Sequence, residues 1–193
     1  MNKFLISVAL FLPLAPSAQA AITNFDLIGT AGAGLLAGNE PGLIVGGTGG
    51  EIGTGIFFDD VANLLTINVG WGSSQGFTDL SSAVTASHIH GPTAAINGGG
   101  FTQTAGVAFN LTRSSNALTG GTFTAAPIAL SPTQATQLLD GKFYVNLHTA
   151  TNGGGEIRGF LVAAPIPEPA EYAMLLAGLA LVGAIARRRM QTA

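Results

Sequence analysis

Apolar and polar residues alternate along several short stretches of this chain. Leu65, Ile67, Val69 and Trp71 interleave with Thr66, Asn68 and Gly70, the period of a half-buried strand. Val84, Ala86, His88 and His90 alternate with Thr85, Ser87 and Ile89. Gly106–Leu111 and Gly121–Ala125 read as further strands. Phe143, Val145 and Leu147 alternate with Tyr144, Asn146 and His148, and Ile157, Gly159 and Leu161 with Glu156, Arg158 and Phe160. Turn residues separate these runs. Many short strands broken by turns predict an all-β domain, a Greek-key-like antiparallel β-sandwich or barrel. One short helix is expected. Ser131 can cap it, Pro132 fits its first turn, Gln134 completes a capping box, and Gly141 ends it after about Asp140. The glycine-rich stretch Gly32–Gly55 reads as a strand edge with a long loop. It is not a phosphate cradle, since no lysine or helix start follows.

Two apolar segments flank the strand-rich region. At the N-terminus, Lys3 precedes the run Phe4–Leu12, and Ala18-Gln19-Ala20 offers a small-x-small cleavage site. This is the layout of a secretory signal peptide spanning 1–20. Near the C-terminus, Ala170–Ala186 forms a 17-residue apolar run, expected as a transmembrane helix, with Arg187, Arg188 and Arg189 directly after it. Arginines at that end favour a cytoplasmic terminus. Gly178 and Gly183 would permit close helix packing.

Composition narrows the partners. Without Lys3 and the terminal arginines, only Arg113, Lys142 and Arg158 stand against eight acids, so the domain carries a charge near −5. No basic patch is left to bind nucleic acid. With no cysteine, no disulfide or thiolate site is available, and the fold must rely on its core.

The candidate chemistry lies in the histidines. All three, His88, His90 and His148, belong to the predicted strands. Residues i and i+2 of a strand share a face, so His88 and His90 stand side by side. His148 lies opposite the apolar face of its own strand, with Tyr144 and Asn146. If the two strands are neighbours, three neutral nitrogens and an open position would suit copper or zinc. The competing reading is structural: the imidazoles donate to backbone carbonyls and pin a loop, with Glu156 or Asp140 as acceptors. Glu156 and Arg158 are assigned a structural or ligand-orienting role. A buried arginine there would order carbonyls or a carboxylate. No Gly-x-Ser-x-Gly elbow is present, and Asp59-Asp60 reads as a turn, so no catalytic set is assigned.

Three resemblances extend these readings. Pro167-Glu168-Pro169, the apolar run and Arg187-Arg188-Arg189 together resemble a PEP-CTERM sorting signal over the last 27 residues. The resemblance implies export through the inner membrane and transient anchoring there. It further implies processing by an exosortase-type enzyme and delivery to the cell surface or an exopolysaccharide-rich matrix, where a matrix component is the expected partner. Residues 22–163 resemble the CHRD (chordin-like) domain. The carrying blocks are Gly38-Asn39-Glu40-Pro41, His88-Ile89-His90-Gly91-Pro92, Leu138-Leu139-Asp140-Gly141, Tyr144–Thr149 and Gly154–Gly159. This resemblance implies a domain also found in bacterial secreted proteins; the two sorting segments, the low charge and the lack of a complete catalytic set lead to the expectation of a non-enzymatic binding or structural role. The His-x-His strand also looks like part of the copper site of Cu,Zn superoxide dismutases. With three histidines there is no bridging imidazole and no full zinc site, so the resemblance extends to metal binding and not to dismutation.

Overall fold

The computed structural model describes residues 22–124, 127–165, 177–180 and 182. Among these residues, eleven antiparallel strands form one sheet. In chain order they are β1 (Ile22–Gly29), β2 (Gly32–Ala33), β3 (Leu35–Leu36), β4 (Thr48–Asp59), β5 (Leu64–Trp71), β6 (Val84–His90), β7 (Val107–Asn110), β8 (Gly121–Thr124), β9 (Ile128–Ala129), β10 (Tyr144–Thr149) and β11 (Ile157–Ala163).

Two wings meet at β1 and β3. β1 pairs with β4 through Ile22–Phe25 and with β11 through Phe25–Ile28. β3 likewise pairs with both β4 and β11. One wing continues through β4 and β5 to β8 and β9, the other through β11, β10 and β6 to β7. Ile56, Phe58, Leu65, Ile67, Val69, Trp71 and Phe123 of the first wing join Ile89, Val145, Leu147, Ile157 and Leu161 of the second in one buried core. The result is sandwich-like and all-β, as the alternation predicts. Trp71 stacks on Phe123 at 4.8 Å and donates from Nε1 to Ala117 O, so its polar edge is satisfied inside.

The helix α1 (Pro132–Leu139) has the expected cap. Ser131 Oγ accepts from Gln134 N, and the Gln134 side chain accepts from Ser131 N. Gly141, at φ 66°, follows its end. A second short segment, Asn97–Phe101, was not expected: all five of its residues have positive φ, making one left-handed turn. Gly98, Gly99 and Gly100 make that turn accessible. Two 3-10 turns, Ala37–Asn39 and Ser73–Gln75, add to the count.

The stretch Gly32–Gly55 is more ordered than a loop, since it holds β2, β3 and the first eight residues of the twelve-residue β4. Its glycines serve close approach. A Cβ on Gly49 would lie 2.5 Å from Gly70 O of the paired strand. The expected signal peptide, the Pro167-Glu168-Pro169 motif, the arginine cluster and most of the expected transmembrane helix lie outside the described residues. Among the described residues no helix is long and apolar enough to cross a membrane.

Candidate metal centre and its polar surround

In the second wing, β10 is buried on both faces. Val145 and Leu147 of β10 and Ile89 of β6 enter the core. Tyr144, Asn146 and His148, with His88 and His90, occupy the opposite face by strand parity. All six residues of β10 are nevertheless buried.

Register brings the histidines together. β10 pairs antiparallel with β6, with Tyr144 opposite His90 and Asn146 opposite His88. His148 faces Ala86, one same-face step from His88. One ring nitrogen from each histidine lies within 4.8 Å of the others. His88 Nδ1 is 3.1 Å from His148 Nε2, and His90 Nε2 is 3.3 Å from the same atom. Nitrogens bound tetrahedrally to one ion at about 2.0–2.1 Å are about 3.3–3.4 Å apart. These two separations are already close to that value.

The far sides of two rings settle which nitrogen carries a proton. His90 Nδ1 lies 3.0 Å from Ala105 O, and His148 Nδ1 lies 3.0 Å from Gly153 O. A carbonyl only accepts, so both Nδ1 atoms are N–H donors and both Nε2 atoms of the neutral rings are bare. The acceptors are backbone carbonyls, which the structural reading of the sequence named, and not the Glu156 or Asp140 carboxylates that it named beside them. Burial holds all three imidazoles below their ordinary value, and the neighbouring histidines add to this at His88 and His148. His90 also stacks on Tyr144, 5.0 Å away and 8° from parallel. The Tyr144 hydroxyl donates to Ala105 O and accepts from Ala105 N, bracing the segment that orients His90.

Glu156 and Arg158 hold the loops around this centre. Glu156 accepts from Ser81 N, Ser81 Oγ, Thr149 Oγ1, Gly47 N and Asn152 Nδ2. Burial pushes its carboxyl up, but the hydrogen bonds from Ser81, Thr149 and Gly47 outweigh burial and hold it below the usual glutamate value. By binding Asn152 it fixes the turn that presents Gly153 O to His148. Arg158 is 1% exposed. Its Nε donates to Asn39 O, Nη1 to Gln103 O at 3.2 Å, and Nη2 to Phe101 O at 2.8 Å. Its Cζ lies 5.1 and 5.4 Å from the ring centroids of Tyr144 and Phe160, two rings that themselves meet at 5.0 Å. The expected role of a buried arginine ordering carbonyls matches these contacts. The left-handed turn serves the same end, because it presents Phe101 O to the guanidinium.

Sequence reasoning assigned no role to Asn39, Glu40 or Asn146. Asn39 Nδ2 donates to Arg158 O at 2.9 Å, and its Oδ1 accepts from Ala31 N at 2.8 Å. Glu40 Oε2 lies 3.8 Å from Arg158 Nε. Burial pushes the Glu40 carboxyl up to about 7, against the opposing pull of Arg158 and of the Asn146 side chain. A signal for these residues was present: each belongs to a block that carries the family resemblance.

Those blocks converge on one buried polar cluster, and the match to a family model covers the same ground. The CHRD domain model matches residues 36–161, more than half of the chain. The chain belongs to the CHRD family. No curated protein and no solved structure matches it. Within this CHRD domain, the signature residues Asn39, Glu40, His88, His90, Asn146, His148, Glu156 and Arg158 surround one region of one sheet face. A cavity of about 510 Å³ adjoins them, lined among others by Glu40, His90, Tyr144, Asn146, Gly155 and Arg158.

Proposed function

We propose that this CHRD domain is an exported, non-enzymatic metal-binding module that holds one copper or zinc ion through His88 Nδ1, His90 Nε2 and His148 Nε2. The observation that carries the reading is the pairing of bare nitrogens. His90 Nε2 and His148 Nε2 face each other at 3.3 Å while both Nδ1 protons are committed to carbonyls. Two lone pairs at that distance need a cation between them. A proton is disfavoured, because burial lowers the proton affinity of both rings. The His88 Nδ1–H can donate to His148 Nε2, but His90 Nε2 then still lacks a donor. A metal ion accepts all three.

The donor set fits borderline metals. Neutral imidazoles suit copper and zinc, and the absence of carboxylate or thiolate in the group argues against calcium or an iron–sulfur cluster. Three protein ligands leave a further position open to a small ligand. The ring N–H bonds to Ala105 and Gly153 orient the ligands, as partners outside a metal's ligand set commonly do. Binding, carriage or matrix structure is the role this supports. The signal-peptide pattern, Pro167-Glu168-Pro169 and Arg187–Arg189 support delivery through the inner membrane, processing by an exosortase-type enzyme and residence at the cell surface or in the matrix.

Metal analysis and titration of the processed domain test the reading. One equivalent of copper or zinc is expected, with affinity falling at least about 100-fold in His90→Ala or His148→Ala. Failure of the wild-type domain to take up a stoichiometric equivalent of either metal overturns it. Deleting Pro167–Ala193 should release or misdirect the protein, and unchanged surface retention would remove the sorting part.

A further inference from the structure

The sequence Asn-Gly-Gly-Gly occurs twice in this chain, beginning at Asn97 and at Asn152. An asparagine that precedes glycine can react with its own main chain. Hydroxide takes the proton of the following peptide N–H, and that nitrogen attacks the side-chain Cγ. The Cγ–Nδ2 bond breaks, ammonia leaves, and a succinimide ring remains. Water then opens the ring to aspartate or isoaspartate. The net change is asparagine plus water to an aspartyl residue plus ammonia, with no oxidant and no enzyme. The step needs a peptide nitrogen free to swing onto Cγ. Glycine favours it, because it carries no Cβ to obstruct the approach.

The fold treats the two copies differently. Asn97 opens the left-handed turn at φ 48°, and its N–H donates to Asp140 O. Gly98 is buried, and its carbonyl accepts from Thr102 N and Gln103 N. A Cβ on Gly98 would lie 2.3 Å from the Phe160 ring, so the Asn97–Gly98 peptide has no room to turn. The second copy is open. Gly153 and Gly154 are exposed, and a Cβ on either would meet nothing within 4 Å. The Gly153 N–H has no hydrogen-bond partner among the described residues. Two long bonds from Asn152 Nδ2, 3.2 Å to Ser81 Oγ and 3.3 Å to Glu156 Oε2, restrain the side chain.

The open copy is the one that touches the histidines. Gly153 O receives the His148 Nδ1–H at 3.0 Å. Conversion would replace the Asn152 Nδ2 donor by a carboxylate oxygen facing Glu156, turning an attraction into a repulsion of like charges. Isoaspartate also makes the main chain one atom longer directly before Gly153. Either change moves the Gly153 carbonyl. We infer that Asn152 is a self-modification site, converted to aspartate or isoaspartate through attack by Gly153 N, and that conversion releases His148 from Gly153 O. Its effect on metal affinity rests on the three-histidine reading above; the conversion and the release do not.

The test follows metal-free protein held at mildly alkaline pH, digested at intervals and mapped by mass spectrometry. The mass gain of an amide-to-acid conversion is expected at Asn152 at least about tenfold faster than at Asn97. In denaturant the two identical sequences should react alike. Gly153→Ala should slow the reaction at Asn152 at least about tenfold by crowding the attacking nitrogen. It should keep the fold, because Gly153 lies outside the left-handed region and a Cβ there meets nothing. Heteronuclear NMR should show the protected His148 Nδ1–H lost in converted protein and in Asn152→Asp. Zinc affinity should fall with it, at least about tenfold. Equal rates at Asn152 and Asn97 in folded protein, a difference that persists in denaturant, or an unchanged rate in Gly153→Ala overturns the inference. So does an unmoved His148 Nδ1–H after conversion, or undiminished zinc affinity in converted protein that bound zinc when fresh. If fresh protein binds no zinc, the metal reading falls, and the mass map and the His148 signal still decide this inference.

Discussion

β6, β10 and β11 bury an inner and an outer face built on opposite principles, the outer one less completely at Ala86 and His88. The inner face packs Ile89, Val145, Leu147, Ile157 and Leu161, whose contribution grows with apolar area and needs no direction. The outer face buries His90, Asn146, His148, Glu156 and Arg158, where each group is stable only if its partner is correctly placed. Loops supply those partners: Asn39, Gly47, Ser81, Phe101, Gln103, Ala105, Asn152 and Gly153 all reach this face from outside the strands. The inner face therefore specifies a fold, and the outer face specifies an arrangement of loops around a centre.

Substitutions should separate the two. Arg158→Met is the largest expected loss, about 3–5 kcal/mol in denaturant unfolding, because three carbonyls and the Glu40 carboxyl lose their cation together. A loss no larger than that of a surface substitution would break the comparison. Leu147→Ala, on the inner face of the strand that carries His148, should cost about 2–5 kcal/mol by leaving a cavity. Metal affinity of the folded variant should stay within a few-fold of wild type, because the inner-face deletion leaves the outer donors in place.

Titration sharpens the contrast further. The folded-state value of Glu40, about 7, is raised above its unfolded value of 4.5, so the folded protein binds the extra proton. Its contribution is fully present below the unfolded value and is lost as pH rises through about 7, to the extent of about 3 kcal/mol. The histidines act in the opposite sense. Their folded values are lowered, so the stability they contribute is present above the ordinary imidazole range and is lost as pH falls through it. Stability of the metal-free domain against pH, compared with Glu40→Gln, should show the first dependence disappear and the second remain. The smallest effect is expected for Asn152→Ala, about 1 kcal/mol, with a few-fold loss of metal affinity as the Gly153 turn loosens. A change in stability with no change in affinity would detach that turn from the centre.

How much of this could be read in advance follows the same division. Alternation around Leu65–Trp71, Val84–His90 and Tyr144–Thr149 marks strands because one face enters an apolar core. The convergence of His88, His90 and His148 follows from parity and one correct strand pairing. β4 was hidden because Gly49, Gly50, Gly53 and Gly55 erase the period-two signal, and its register shifts between Glu51 and Ile56. The roles of Asn39, Glu40 and Asn146 were hidden for a different reason. Their partners are long-range, as with Asn39 and Arg158, 119 positions apart, and no local pattern encodes such a contact.

Two of the three candidate ligands owe their orientation to the main chain at Ala105 and Gly153. An alanine scan is blind at both positions, because one is already alanine and the other contributes no side chain to remove. A one-residue deletion in either loop, with every histidine retained, moves the carbonyl and turns the ring. Differences in metal preference among proteins that share these histidines would then be written in loop length, where an inventory of ligand residues finds nothing.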